Sequence, residues 1–140
     1  MTDDELAAEL IERARAASER AYAPYSNYFV GCAVWAGGAI YHGANVENVS
    51  FGAVLCAERA AIAAAVIDGA RQIDVLALFT HSSPPAAPCG LCRQTLQEFA
   101  PDPHRVRVLM ANAAGEREET TLAELLPRGF RRADLEGGRR

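Results

Sequence analysis

Apolar residues recur at helical spacing from Asp3 to Glu19, where Leu6, Leu10, Ile11 and Ala14 are separated by charges, so an amphipathic helix is predicted there. Pro24 breaks that pattern, and Tyr22 to Asn27 reads as a loop. Phe29 to Trp35 is an apolar run of strand length. Gly37-Gly38 is a hairpin signal, and Ala39 to Gly43 is the partner strand. Ala44 to Gly52, with Asn45, Glu47 and Asn48, carries no period and reads as a functional loop. The alanine-rich run from Cys56 to Asp68 predicts a helix that Gly69 ends. Ile73 to Phe79 follows as a buried strand, then a loop from Ser82 to Pro88 with three prolines. A second helix is expected over Gly90 to Phe99, stopped by Pro101. Val106 to Met110 and Glu116 to Thr121 read as strands, and Leu122 to Leu126 as one helical turn. An initial helix followed by the order β-β-α-β-α-β-β implies an α/β sandwich, helices packed on a mixed sheet. The first strand pair should be antiparallel, and strands joined through helices should run parallel.

Composition adds limits to this pattern. The 140 residues suit a single domain spanning 1–140, half of them are hydrophobic, and no apolar run approaches the length of a membrane span. The acidic start, Met1 to Glu5, lacks the basic and apolar regions of a signal peptide, so a cytoplasmic protein is expected. A net charge of −4 with scattered arginines offers no footprint for a polynucleotide backbone and favours a small ligand. Four cysteines in a cytosolic chain argue against a disulfide framework. Cys32 lies in the apolar run Val30 to Ala36 and reads as a small buried hydrophobe.

The remaining cysteines carry the chemistry. Cys89-x-x-Cys92 alone fits a redox dithiol, a structural zinc knuckle or a catalytic ligand pair. Cys56 at the start of another helix changes that balance, because two helix N-termini favour thiolates and three thiolates can share one zinc. Three protein ligands leave the fourth tetrahedral position open to water, as in catalytic zinc sites. A closed structural site needs a fourth ligand, and His42, His81 and His104 lack motif spacing to the cysteines. Glu58, two residues beyond Cys56, is placed to flank such a metal and move protons at its water. Three thiolates would weaken zinc as a Lewis acid, so Arg59 and Arg93 are the candidate donors that drain their charge.

Tyr22-Ala23-Pro24-Tyr25-Ser26, Gly43-Ala44-Asn45-Val46-Glu47-Asn48, Cys56-Ala57-Glu58-Arg59, Pro88-Cys89-Gly90-Leu91-Cys92-Arg93-Gln94 and Leu125-Leu126-Pro127 together resemble the small cytidine deaminases with three zinc cysteines. The resemblance runs in unbroken order over nearly the whole chain. It implies a three-layer α/β sandwich with a mixed five-stranded sheet and flanking helices, one zinc per subunit, and a homotetramer. It also implies hydrolysis of cytidine and 2′-deoxycytidine in pyrimidine salvage, with Glu58 catalytic. By the same resemblance Asn45 and Glu47 hold the ribose, Tyr28 lies against the substrate, and Ala57 reads the pyrimidine edge through its backbone. Phe51 and Phe130 match aromatic positions that reach a neighbouring subunit's site, or else pack in the core. Departures from the family pattern fall at Tyr28, Ala44, Ala60 and Leu91, and Tyr28 and Leu91 bear on the shape of the pocket. Three rival readings are a deaminase of a cytosine-containing antibiotic, a polynucleotide-editing deaminase and a zinc-stabilised binding module without catalysis.

Overall fold

Thr2 opens α1 (Asp3–Ser18): its hydroxyl oxygen accepts the Glu5 N–H at 3.1 Å, and Asp3, Asp4 and Glu5 put negative charge at the positive end of the helix dipole. The computed structural model describes residues 1–140. After α1 come β1 (Gly31–Ala36), β2 (Ala39–Ala44), α2 (Ala57–Ile67), β3 (Val75–Thr80), α3 (Gly90–Glu98), β4 (Arg107–Asn112), β5 (Arg117–Thr121), α4 (Leu122–Leu125) and α5 (Arg132–Gly137). The β1–β2 turn is Gly37-Gly38, with φ of 59° and 81°, the left-handed pair that matches the twist of a two-residue hairpin. No helix is long and apolar enough to cross a membrane.

The five strands form one mixed sheet in the order β2-β1-β3-β4-β5. β1 is antiparallel to both β2 and β3, β3 and β4 are parallel, and β5 returns antiparallel to β4. β2 and β3, which α2 joins, therefore point the same way, with β1 between them.

Alternation along the strands divides the interior into two cores. Cys32, Val34, Leu76, Leu78, Val108 and Met110 face α2 and α3, where Ala57, Ala61, Ile62, Ala65 and Leu96 meet them. Ala33, Val75, Ala77, Phe79, Leu109 and Ala111 face the other way, onto Ala7, Leu10 and Ala14 of α1. The result is the expected three-layer sandwich. Cys32 is fully buried in the first core, and burial pushes its thiol well up.

Where the elements depart from the sequence pattern, local physical reasons account for the clearest cases. Val30 stays outside the β1 ladder because its N–H donates to Asn45 Oδ1 at 2.9 Å. Ile73 precedes β3 because its N–H donates to the Phe99 carbonyl at the end of α3. α5, absent from the pattern, has no buried residue and hence no apolar face to read.

Gly43 is the closest helix–strand approach near the thiols. A Cβ there would lie 2.6 Å from the Ala61 nitrogen and 2.7 Å from the Ala57 carbonyl oxygen. Only glycine lets the first turns of α2 seat this deeply on β2.

Candidate functional site

Cys56 is the N-cap of α2, Cys89 is the N-cap of α3, and Cys92 lies in the first turn of α3. Neither cap side chain is used to cap its helix, which frees both thiols to face one point. Cys56 Sγ lies 4.0 Å from Cys89 Sγ, and Cys89 Sγ lies 3.4 Å from Cys92 Sγ. All three sulfurs fall within 4.8 Å of one another, and no fourth His, Cys, Asp or Glu joins them. A tetrahedral zinc with bonds of about 2.3 Å separates its sulfurs by about 3.8 Å, a value these distances bracket. The donor set and its spacing fit one zinc with an open fourth position.

The thiols differ in character. Burial, then the charges of Glu58 and its fellow cysteines, pushes Cys92 far up. Cys89 goes down although burial opposes it, because the Cys92 backbone N–H and the Cys92 and Cys56 side chains support its thiolate. A bound dication would outweigh such differences and draw all three to thiolate.

Arg59 reaches this cluster: Nη2 donates to Cys56 Sγ at 3.5 Å and to the Val54 carbonyl at 3.1 Å. Arg93 does not. Its Nε donates to the Pro88 carbonyl at 2.7 Å and its Nη1 to the Leu125 carbonyl at 2.8 Å, so the expected second thiolate donor braces backbone instead. The reason is helical geometry. The side chain after Cys92 points about 100° around α3 from it.

Glu58, in the first turn of α2, is only 4% exposed and lines a cleft of about 220 Å³ together with Cys56 and Cys89. Burial pushes its carboxyl up, against the pull of its own backbone N–H, Cys92, Arg59 and the Cys89 N–H. Ala57 lies beside it, fully buried. The walls are Tyr28 and Val30 before β1, Asn45 and Val54 after β2, Leu78 and Thr80 at the end of β3, and Ala86 and Ala87 before α3. Nothing in the sequence marked Val30, Val54, Leu78, Thr80, Ala86 and Ala87 as walls of a site. The one available signal was position: in open α/β sheets ligands lie beyond the carboxyl ends of parallel strands, where Thr80 sits.

Asn45 is 8% exposed and already committed, its Oδ1 accepting the Val30 N–H and its Nδ2 donating to the Tyr28 carbonyl at 2.8 Å. One amide N–H remains to it. Glu47 accepts the Tyr25 and Ser26 N–H groups at 2.9 and 3.1 Å and the Ser26 hydroxyl, and the Ser26 hydroxyl above all holds its carboxyl below the usual range. It lines an adjoining hollow with Tyr25, Ser26, Asn48, Phe51 and Val54, and Val54 is the wall the two hollows share.

Phe51 is 75% exposed, edge-on to Tyr25, and Phe130 is 59% exposed, so neither packs in the core. Phe130 lines a separate cleft of about 300 Å³ between α3 and the C-terminal segment, away from the thiols. Leu91 points outward at 68% exposure and is not a wall of the Glu58 cleft, whereas Tyr28 is.

Residues 4–110 match the family described as the cytidine and deoxycytidylate deaminase zinc-binding region. The chain is 44% identical to a cytidine deaminase of Sporosarcina psychrophila over 91% of its own length and 93% of the relative's. The chain belongs to the cytidine deaminase family. Among solved structures, a cytidine deaminase from Burkholderia pseudomallei superposes with a TM-score of 0.83 at 41% identity, covering 93% of this chain and all of that one. The Mycobacterium tuberculosis cytidine deaminase gives 0.76 at 32%, covering 94% and 99%. Membership in the cytidine deaminase family and the fitted thiol triad together assign the cofactor as zinc.

Proposed function

We propose that this chain, acting as one catalytic domain, hydrolyses cytidine and 2′-deoxycytidine to uridine and 2′-deoxyuridine with release of ammonia. The observation that carries this reading is Glu58, a buried carboxyl with a raised pKa, in an apolar cleft beside three thiols that suit one zinc. Cys56, Cys89 and Cys92 would hold one zinc, which when bound would supply Lewis acidity toward the attacking water. Glu58 takes a proton from that water as a C–O bond forms at pyrimidine C4, and passes it to N3. It then takes the remaining proton of that water from the C4 hydroxyl and delivers it to the exocyclic nitrogen, as the C4=O bond forms, the C4–N bond breaks and ammonia leaves. Burial pushes the Glu58 carboxyl up, which favours its holding the proton between the two transfers. Arg59, donating to Cys56, offsets part of the thiolate charge.

The apolar walls with the Tyr28 ring suit a flat base, and the backbone at Ala57 is available to its edge. The adjoining hollow suits a sugar, with the Glu47 carboxylate and the remaining N–H of Asn45 as partners for ribose hydroxyls. A carboxylate there repels a phosphate, which favours free nucleosides over nucleotides or polynucleotides. The exposed Phe51 and Phe130 favour a homotetramer in which each reaches a neighbouring subunit's site. A cytoplasmic role in pyrimidine salvage completes the proposal.

Following the ultraviolet change on adding cytidine to zinc-loaded protein, with and without chelator, tests it directly. Loss of the cytidine band that chelator abolishes is expected, and a flat trace overturns the reading. Glu58→Gln should retain zinc and lose at least about 10²–10⁴-fold in kcat. Near-parental turnover by zinc-replete Glu58→Gln would sink the assigned proton path.

A further inference from the structure

We propose that Ser82 is a positioning residue whose hydroxyl braces Tyr28 across the mouth of the Glu58 cleft, joining two loops that each supply part of its wall. The Tyr28 and Ser82 hydroxyl oxygens are 2.5 Å apart across 54 positions of sequence. Tyr28 and Val30 form the wall on one side, and Ala86, Ala87 and Cys89, which follow Ser82, form it on the other. Ser82 is not itself a wall, so it acts on a ligand only through the ring it holds.

Both ends of the brace are anchored. On one side the Tyr28 N–H donates to Ser26 Oγ at 3.0 Å, the Tyr28 carbonyl accepts from Asn45 at 2.8 Å, and Ser26 is bound in turn to Glu47. On the other side the Ser82 carbonyl accepts from Asn112 Nδ2 at 2.8 Å, and the Ser82 N–H donates to Thr80 Oγ1 at 3.3 Å. The neighbouring Ser83 hydroxyl donates to Glu116, which also accepts from Asn112 at 3.0 Å. Only the hydroxyl pair spans the gap, and Tyr28 is itself 41% exposed, so little else fixes the ring.

A wall held in place before the ligand arrives saves the ordering cost of closing it on binding. That saving applies equally to bound substrate and transition state, so it moves KM and leaves kcat nearly alone. The brace rests on the deaminase reading for its kinetic readout and on loop exchange for one independent of it.

Ser82→Ala is expected to raise the KM for cytidine about three- to tenfold with kcat within about twofold, the loss of one hydrogen bond. Tyr28→Phe, which removes the same bond from its other end, should match it, and the double variant should be no worse than either. Ser82→Thr keeps the hydroxyl and should restore the parental KM. Hydrogen–deuterium exchange needs no turnover: residues 22–28 should exchange faster in Ser82→Ala than in the parent. Parental KM in Ser82→Ala, additive effects in the double variant, or unchanged exchange over 22–28 each overturns the brace. A parent that leaves cytidine unchanged overturns the deaminase reading instead, and the exchange comparison still decides the brace.

Discussion

Arg59 and Arg93 are three residues and one residue from the nearest ligand cysteines, yet their side chains do unrelated work. Arg59 follows Cys56 by three positions, so both lie on one face of α2 and the guanidinium meets the sulfur. Arg93 is adjacent to Cys92 and turns away, to the Pro88 and Leu125 carbonyls. Arg59→Ala should therefore weaken zinc retention about 10- to 100-fold, measured by competition with a chromophoric chelator. Arg93→Ala should lower Tm while the metal-loaded protein keeps one zinc per chain. Residue identity at the thiol cluster was legible because ligand spacing is local. The direction of a neighbouring arginine was not, since adjacency in sequence is separation around a helix. The cleft walls were illegible for a different reason: Val30, Ala86 and Ala87 are ordinary small or branched residues that matter only through what the fold brings opposite them.

At the scale of elements, the zinc-side geometry depends on where α2 begins and how deeply it lies. Its N-cap is Cys56 and its first turn carries Glu58, so any shift of this turn moves a ligand and the proton carrier together. Gly43 sets the depth, because a methyl there would press on the Ala57 carbonyl and the Ala61 nitrogen, both backbone. Gly43→Ala should cost several °C in Tm and lower both zinc retention and kcat. Calorimetry beside a zinc assay checks this, and unchanged values would remove Gly43 from the account. The long helices and central strands were readable from periodicity, since α1 buries one stripe and β1, β3 and β4 alternate between two cores. α5 was not, because a helix with every side chain in solvent leaves no pattern of buried positions.

For the whole molecule, the opposing pKa shifts set the response to acid. Glu12, Glu47, Glu116 and Glu119 are each held below the usual carboxylate range, by Arg15, Ser26, Ser83 and Arg107 respectively. A depressed carboxyl stabilises the fold above its unfolded pKa, and that contribution fades as pH falls through the folded value. Glu58 has the opposite sign: raised by burial, it disfavours the fold at neutral pH and ceases to as it protonates. The Tm of the metal-free chain should thus fall as pH is lowered from about 5 to about 3, and Glu58→Gln should raise the Tm at neutral pH. A thermal scan across that range, with chelator present throughout, reads both effects. The sheet places the cleft at one end of the β1–β2 hairpin, where Val30 and Asn45 stand, and the Gly37-Gly38 turn at the other. Six residues of strand put roughly 20 Å between them. Both turn glycines are exposed, with nothing within 4 Å of where a Cβ would stand. Tethering this protein to a solid support through that turn would leave the mouth of the cleft facing the liquid.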